Sequence, residues 1–435
     1  MSLRGLLVLI VALAVVVGVL VWAGKKPPAE PPPAEKAPLV AKFTEADVTA
    51  LTASCGTHAW TLTRTPAGWR TGAREADPRR VRDVIVAVQD AHVSKIVEDG
   101  AFDRKAYALE PGCALDVALT GRGKRSVRLG RTSPVGAERY TLLGDGRLAL
   151  TDGSLYGMID RDEGALEERR LFPVESPAVS RITALGPQGR IAVESGDAGW
   201  KVVAPFADRG SEAACSRLAA ALTTLAVDEG STGTKPPIGP RIVFELAATG
   251  AAPKRADVAA EAKDGKRAAW REDGSLAGTV ADATVKEIDL LPDAYREKRI
   301  ALFSAPDVRS VRLDRGPLHL EATHAEGAAA WKSDFDVDSA RVDALVENLR
   351  GLTASGFVAG AAPPSPATGT IVVRDEKADL ARLTWGSLAP EPGAPGESVW
   401  VESADRPGVV FRVPATALGP IPTKASDWAA APKGK

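Results

Sequence analysis

The sequence has few aromatic residues, few histidines and no excess of either charge. Aromatic residues make up 5% of the 435 residues, and histidine occurs four times. Lysine and arginine together number 55, against 56 for aspartate and glutamate, so the formal net charge is −1. A nucleic-acid-binding protein is expected to carry a strong basic excess. The balanced charge therefore argues against a nucleic-acid partner.

Motifs of the common enzyme classes are also missing. The chain contains no Walker loop, no Gly-x-Ser-x-Gly elbow and no His-Glu-x-x-His. A dinucleotide-binding glycine pattern starts at Gly121 and Gly123 but breaks at Ser126. A catalytic triad can be assembled from residues far apart in sequence, but no pattern here nominates one. We therefore predict no enzymatic activity, no cofactor, and no catalytic, cofactor-binding or metal residues.

The four histidines do not form a metal-binding pattern. His319 and His324 are five residues apart on a predicted strand, so their side chains point to opposite faces of the sheet. His92 is predicted at a helix end, where it would satisfy the last carbonyl groups. His58 lies in no recognisable motif. None of them is predicted to act as a metal ligand or a base.

A short acidic run resembles the start of a calcium loop. Asp334, Asp336 and Asp338 have the required spacing, but Ser339 replaces the glycine and Leu345 replaces the final glutamate. We interpret Asp338 as the N-cap of a helix. A second charged segment, residues 161–170, is predicted to be an exposed helix with charges on neighbouring turns.

Three cysteines leave one question open. Cys215 belongs to the apolar stripe of a predicted helix and is interpreted as a small core residue. Cys55 and Cys113 flank predicted strands in the same part of the chain, and an exported location would permit a bond between them. A disulfide and two free thiols are both compatible with the sequence.

The N-terminal region predicts a membrane anchor. Residues 6–23 are apolar and carry no charge. At 1.5 Å per residue they span ~27 Å, close to the ~30 Å of a hydrocarbon layer. The alternative is a cleaved signal peptide, whose apolar core is usually shorter. No cysteine follows the run, which argues against a lipoprotein. We assign residues 1–24 to an uncleaved signal anchor.

A proline-rich segment, residues 25–40, follows the anchor. Such a composition favours an extended, semi-rigid spacer. We expect a single-pass protein of the inner membrane whose folded part is extracytoplasmic, in the periplasm, and is held away from the bilayer.

Three tryptophans at equal intervals indicate that one domain is repeated. Trp69, Trp200 and Trp331 are 131 residues apart (200 − 69 and 331 − 200), and each is followed by arginine or lysine. A period this long corresponds to a whole domain rather than to a solenoid repeat. We predict three repeat domains over residues 41–172, 173–303 and 304–430, and each tryptophan is expected to close a third strand and cap a core under the next helix.

The same pattern of secondary structure is predicted in each repeat. Alternating apolar residues indicate three strands, and a helix with apolar residues three and four apart follows them. The predicted N-caps are Asp77, Ser211 and Asp338. More strands come next, and the first two repeats are expected to close with short helices that end at residues 168–172 and 297–303. The predicted fold class is α+β, with antiparallel sheet and one main packed helix per domain.

Several signatures resemble a known family. These are the N-terminal span, the spacing from Phe43 to Val48, the Gly-Trp and Asp-x-x-x-Val helix entry, the segment Tyr107–Pro111, and Leu129-Gly130 with Tyr140. Together they resemble the bacterial domain-of-unknown-function family numbered 4340, over nearly the whole chain. The resemblance implies no activity and no catalytic residues. It implies accessory proteins encoded beside gliding-type or auxiliary ABC transporter subunits, which is an association rather than a mechanism.

The sequence therefore favours a non-catalytic, membrane-tethered envelope protein. It would act as an accessory or scaffold of a membrane complex, such as an ABC-type transporter, because stacked repeats present an extended binding face. An extracytoplasmic ligand-binding module for glycan, lipid or peptide is the alternative and would need an apolar cleft, expected between repeats. A hydrolase would need a Ser/His/Asp or paired-carboxylate cluster.

Overall fold

The computed structural model describes residues 37–228, 239–325, 330–360, 362–390 and 396–430. The chain divides between Glu168 and Arg169 into two compact units. The first unit contains one antiparallel sheet and the second contains two. The predicted anchor, residues 6–23, lies outside the described residues. None of the helices within the described ranges has the length and apolar character needed to cross a membrane.

The first unit is built on a ten-stranded sheet. Its strands are β1 (Ala37–Pro38), β2 (Val48–Cys55), β3 (His58–Thr65), β4 (Gly68–Thr71), β5 (Arg74–Glu75), β6 (His92–Glu98), β7 (Cys113–Leu119), β8 (Gly123–Thr132), β9 (Arg139–Leu142) and β10 (Leu148–Thr151). Their order in the sheet is β1-β6-β10-β9-β8-β7-β2-β3-β4-β5. Strands β2–β5 and β7–β10 are two meanders that meet where β2 pairs with β7.

The second unit contains an eight-stranded and a seven-stranded sheet. The strands of the eight-stranded sheet are β11 (Val179–Gly186), β12 (Gly189–Gly196), β13 (Gly199–Ala204), β14 (Asp208–Arg209), β15 (Arg241–Ala248), β16 (Lys254–Ala259), β17 (Lys266–Arg271) and β18 (Ala277–Ala281). Those of the seven-stranded sheet are β19 (Ser310–Arg315), β20 (Leu318–Thr323), β21 (Gly356–Phe357), β22 (Ala367–Arg374), β23 (Asp379–Ser387), β24 (Ser398–Ser403) and β25 (Val410–Pro414).

The three sheets share the order of their two meanders, although among the described residues the third has no counterparts of β4 and β5. The order β14-β13-β12-β11-β15-β16-β17-β18 repeats the arrangement of β5 to β2 followed by β7 to β10. The third sheet follows it as β20-β19-β22-β23-β24-β25. In each sheet the first strands of the two meanders pair, as β2 with β7, β11 with β15 and β19 with β22. The fold is therefore α+β and built from antiparallel sheets, as predicted.

One main helix follows the first meander of each repeat. These helices are α1 (Pro78–Asp90), α3 (Glu212–Thr224) and α5 (Ser339–Gly351), and the shorter α2 (Ser154–Ile159) and α4 (Asp282–Lys286) follow the second meanders. The predicted N-caps are confirmed. Asp77 accepts a hydrogen bond from Arg79 N, Ser211 from Ala214 N and Asp338 from Ala340 N. The caps satisfy amide groups that a helix start leaves without partners.

The three equally spaced tryptophans occupy equivalent places. Trp69, Trp200 and Trp331 are 7%, 6% and 7% exposed, and each belongs to the hydrophobic core of its own repeat. The Trp331 indole also donates a hydrogen bond of 2.7 Å to Asp343 on α5. Their predicted role as core residues is confirmed. In the third repeat, however, the tryptophan is not in a strand, since only Lys332 forms an isolated bridge, to Thr323.

The charged segment 161–170 differs from its prediction. It contains a short 3-10 turn, Glu163–Leu166, and then an extended stretch rather than an exposed helix. Glu168 and Arg170 are 5% and 4% exposed. The predicted helix ends at 168–172 and 297–303 are wrong for the same reason: Arg170 and Arg299 form isolated bridges to Ala226 and Thr353. Pairing with the segment that follows the next helix overrides the local charge pattern.

Two ends of the predicted domains are placed differently by the structure. Ala37 and Pro38, assigned to the spacer, pair with β6 and so belong to the first sheet. Residues 25–36 of the spacer lie outside the described ranges. Phe172, predicted to end the first repeat, packs in the core of the second sheet. The compact unit changes just before it, at Glu168.

Candidate functional site

A row of side chains crosses the first sheet at one end of its central strands. Cys55 ends β2 and faces His58 across a two-residue turn, and Gly56 there has a φ of 58°, which glycine adopts without strain. On its other side, Cys55 is bonded to Cys113 at the start of β7. The question that the sequence left open is thus answered: the two cysteines form a disulfide between neighbouring strands.

His58, Asp160 and Tyr156 form a hydrogen-bonded chain of three side chains. Its Nδ1 lies 2.7 Å from Asp160 Oδ1, and its Nε2 lies 3.6 Å from Asp162 Oδ1. The hydrogen bond to Asp160, and then the charge of Asp162, raise the pKa of His58. The pKa of Asp160 is lowered, first by the hydrogen bond from His58 and then by one from Tyr156. This arrangement favours an imidazolium paired with a carboxylate.

Two arginines lie beside this chain. The guanidinium of Arg139 stacks on the Tyr156 ring at 3.4 Å from its centroid, and its Nη1 donates to Gly130 O at 2.8 Å. The guanidinium of Arg131 lies 5.9 Å from the centroid of the Tyr140 ring. Ring stacking and a carbonyl contact fix the position of Arg139 without neutralising its charge.

These groups line a single cavity of about 400 Å³, which we call the His58 cavity. Its wall includes the disulfide and several glycines. The ionisable side chains in the lining are His58, Arg131, Arg139, Tyr156 and Asp160. Charged groups therefore surround an open space. A cluster of titratable groups that line a cavity is the usual mark of a functional site.

The residues that carry the family resemblance form part of the same wall. Ala108, Pro111 and Gly130 line the His58 cavity. A side chain at Gly130 would collide with the carbonyl oxygen of Tyr107, so the glycine permits the close approach of these two segments. Tyr107 also packs on Tyr140, with their ring centroids 4.7 Å apart.

His58 had no predicted role, and the structure shows why its contacts could not be predicted from the sequence. Its partner Asp160 is 102 residues away, so no local pattern connects them. One signal was present: His58 stands three residues after Cys55, with glycine between, which is the spacing of a tight hairpin. That spacing places the imidazole beside the cysteine.

The other predicted side chains are found away from this cavity. His319 contacts Asp314 at 2.7 Å, and His324 packs on the Trp331 ring. His92 starts β6 rather than ending a helix, because α1 ends at Asp90. Cys215 is fully buried, which raises the pKa of its thiol to about 12, so its interpretation as a core residue is confirmed.

The second unit has its own cluster of charged groups, which we call the Asp208 junction. The carboxylate of Asp208, on β14, accepts hydrogen bonds from Arg406 Nη2 at 2.7 and 2.8 Å and from Arg296 Nε at 2.6 Å. The side chains of Asp208 and Arg406 are 2% and 3% exposed. Burial lowers the pKa of Arg406 and the paired carboxylate opposes that change. The junction thus joins the second and third sheets through buried charges.

Further contacts strengthen this junction. Arg406 Nη1 donates to the carbonyl oxygens of Glu297 and Arg299, at 2.8 and 3.2 Å. Arg209 pairs with Asp405 at 3.0 Å. Because the guanidinium of Arg406 contacts both the carboxylate and the chain that connects the two repeats, it fixes their relative position within the second unit.

A cavity of about 440 Å³ adjoins the Asp208 junction. Phe206, Arg296 and Phe357 line it. The Arg296 guanidinium lies between the two rings, 4.5 Å from the centroid of Phe206 and 3.5 Å from that of Phe357. The lining residues of this cavity come from both the second and the third repeat.

No group of three metal-ligating side chains gathers in the portions of the chain that the structure describes. Asp338 caps α5, as interpreted from the sequence. Both sites found here thus depend on charged and aromatic side chains.

The observations together define an α+β protein built on three antiparallel sheets. Residues 71–237 match the model of the family described as "Domain of unknown function (DUF4340)", which confirms the resemblance inferred from the sequence. The match covers the segment Tyr107–Pro111 and is shorter than the nearly complete resemblance expected. No curated protein and no solved structure matches the chain.

Proposed function

We propose that this protein is a non-catalytic, membrane-tethered envelope protein that acts as an accessory or scaffold of a membrane complex, such as an ABC-type transporter. Its folded domains would lie in the periplasm behind an inner-membrane anchor at residues 6–23. The observation that carries the proposal is the Asp208 junction. A scaffold needs a binding surface of fixed geometry, and buried, bidentate ion pairs impose one between the second and third repeats.

Charge placement supports an interaction by contact. Outward positions on the paired strands β11, β12 and β15 carry charges. Arg181 and Glu245 are exposed, and the half-buried Glu194 pairs with Arg181 at 2.8 Å. Mixed exposed charge steers specific protein association and does not require a cavity. A rigid pair of repeats holds such positions at constant distances from each other.

Crosslinking in native membranes tests the proposal. Photo-crosslinking residues placed at Arg181 and Glu245 should capture a transport or envelope protein, identified by mass spectrometry. The variant Arg406→Met should lose crosslinks that need both repeats, whereas Arg350→Met, on an exposed ion pair of α5, should keep them. Capture of no such partner, or equal crosslinking by the two variants, would remove the basis of the scaffold proposal.

The cavity beside the Asp208 junction favours a second candidate, an extracytoplasmic ligand-binding module. Two phenylalanines and one guanidinium that line about 440 Å³ suit an apolar ligand with one acidic group, such as a fatty acid or a peptide carboxylate. Titration with a medium-chain fatty acid and with a hydrophobic dipeptide should then show saturation that Phe357→Ser abolishes. Absence of saturation with both would reject this candidate.

A further inference from the structure

We propose that the His58 cavity binds a phosphate-type anion, held by Arg131 and Arg139. The two guanidinium groups give the cavity a positive charge. Within the described residues, neither guanidinium forms an ion pair with a carboxylate, although ion pairs are numerous elsewhere in this unit, as at Arg74–Glu167 and Lys124–Asp116. Two such cations that line one cavity attract an anion, because arginine presents several donors that match phosphate geometry.

The nearby carboxylates offset this charge only in part, although, besides the hydrogen bond from His58, the charge of Arg139 also acts on Asp160 and helps to lower its pKa. Asp160 is the charged acid in the lining of the cavity, and it already accepts hydrogen bonds from His58 and Tyr156. With the imidazole protonated, His58 and Asp160 form a neutral pair, and the two arginines leave an excess of two positive charges. Asp162 lies at the edge, 3.6 Å from His58 Nε2, and its side chain is 75% exposed, where solvent screens it.

The side chains of the site are held in place before any ligand binds. Arg139 is stacked on Tyr156 and tied to Gly130 O, so little side-chain freedom is lost when an anion binds. Arg131 follows Gly130 on β8, and its backbone N–H donates to Tyr107 O at 3.0 Å. The disulfide between Cys55 and Cys113 fixes β2 against β7 in the wall of the cavity.

The dimensions suit a small anion or a headgroup. A cavity of about 400 Å³ is at the small end of ligand sites and holds a phosphate with part of the molecule that carries it. A free phosphate compound and a phospholipid headgroup share this chemistry. The proposal does not depend on the scaffold function, since it concerns only the first unit.

Titration of the full chain with inorganic phosphate, followed by calorimetry, tests the site. Saturable binding is expected, and Arg139→Gln and Arg131→Gln should each weaken it about tenfold, which is the loss of one charge-assisted hydrogen bond. Arg128→Gln is the matched control, because Arg128 is on β8, exposed, and outside the lining of the cavity. Its affinity should stay within about twofold of the wild type.

A parallel titration with vesicles distinguishes the two sources of phosphate. Vesicles of phosphatidylcholine with and without phosphatidylglycerol are compared, and free phosphate is added as a competitor. Binding to the anionic vesicles that needs both arginines assigns the site to a headgroup, whereas saturation by inorganic phosphate alone assigns it to a free compound. Both results support the site.

Two results would overturn the proposal. One is the absence of saturation with both probes at millimolar concentration. The other is an equal loss of affinity in Arg128→Gln and in Arg139→Gln. If Arg139→Gln fails to fold because the stacked ring loses its partner, Arg131→Gln decides the matter, since Arg131 is exposed.

Discussion

The two compact units keep their strands together by different means. In the first unit a disulfide joins β2 to β7 inside one sheet, and the ionisable groups beside it line an open cavity. In the second unit two sheets are held by the Asp208 junction, whose central carboxylate and guanidinium are 2% and 3% exposed. In the first unit the disulfide therefore lies beside solvent-accessible charged side chains. In the second unit the charged side chains are buried and connect two repeats.

The comparison shows that the core features are shared between the repeats, whereas the links between neighbouring parts differ. Strand order, helix position and the buried tryptophan are shared, because they make the core of each repeat. The links that hold neighbouring parts are not shared. Links formed by charges inside the protein specify a geometry more than they add stability, because desolvation offsets much of the attraction. A disulfide stabilises chiefly through the unfolded chain.

The largest effect is expected at the Asp208 junction. Arg406→Met leaves the buried carboxylate of Asp208 with Arg296 as its remaining guanidinium partner within the junction. The free energy of unfolding should fall by about 3–5 kcal/mol, as measured by chemical denaturation. The control Arg350→Met removes half of an exposed pair on α5 and should cost less than about 1 kcal/mol.

A second variant at the Asp208 junction tests whether the lost stability comes from an unpaired buried charge or from lost packing. Asp208→Leu combined with Arg296→Met and Arg406→Met replaces the carboxylate and both of its guanidinium partners by apolar groups, and it should regain much of the lost stability. Equal costs for Arg406→Met and Arg350→Met would contradict a structural role of the junction.

A smaller effect is expected in the first unit. The double variant Cys55→Ala/Cys113→Ala opens a bond between residues 58 apart and should lower the stability of this unit by about 2–4 kcal/mol. Hydrogen exchange should show the loss in β2 and β7 and not in β11 and β15. Reductant should act on the wild type and leave the variant unchanged, since Cys215 is a buried free thiol. Lost protection in both units would contradict the comparison.

Both units have helix N-caps, and removing one should lower the free energy of unfolding by a similar, smaller amount in each unit. Asp77→Ala and Asp338→Ala each remove an N-cap whose hydrogen bond is 2.9 and 3.0 Å long. Each should cost about 1 kcal/mol in thermal or chemical unfolding, whereas Asp338→Asn keeps an accepting oxygen and should cost only a fraction of that. A cap that matters in one unit only would show that the repeats have diverged in their helices.

The smallest effect concerns pH. The pKa of His58 is raised in the folded state by its hydrogen bond to Asp160, so the pair stabilises the fold below the ordinary pKa of about 6.5. That stabilisation is lost as the pH rises through the folded pKa. In an NMR titration, Asp160→Asn should shift the pKa of His58 down toward the ordinary value, and Asp152→Asn should not. An unchanged pKa in Asp160→Asn would contradict the assigned contact.

Local patterns were sufficient to predict much of the fold. Apolar residues three and four apart identified α1, α3 and α5, and the cap residues were correct, because both depend on neighbours within one or two turns. The 131-residue spacing of Trp69, Trp200 and Trp331 indicated three copies before any contact was known. The failure at residues 161–170 has the opposite origin: Glu167 and Arg170 form isolated bridges to Ala76 and Ala226, which are distant in sequence, and no local charge pattern reveals them.

The two sites could not be predicted from the sequence for a related reason. Asp208 and Arg406 are 198 residues apart, and His58 and Asp160 are 102 apart. An ion pair or a hydrogen bond between single side chains has no period and no required spacing, so the sequence offers nothing to connect its members. The sequence could predict only that Cys55 and His58 lie close together, because a hairpin turn of two residues is a local feature.

Shared strand order also has a consequence for how the chain reaches its native state. Each sheet closes when the leading strand of one meander finds the leading strand of the next, across an intervening helix. Because the three sheets share the order of their meanders, half of one sheet offers an edge to the complementary half of another. Multidomain proteins are prone to misassembly of this kind. The outward side chains differ between the sheets, with small and hydroxyl groups on β3 and charges on β12. We expect such differences to favour pairing of each half with its own partner.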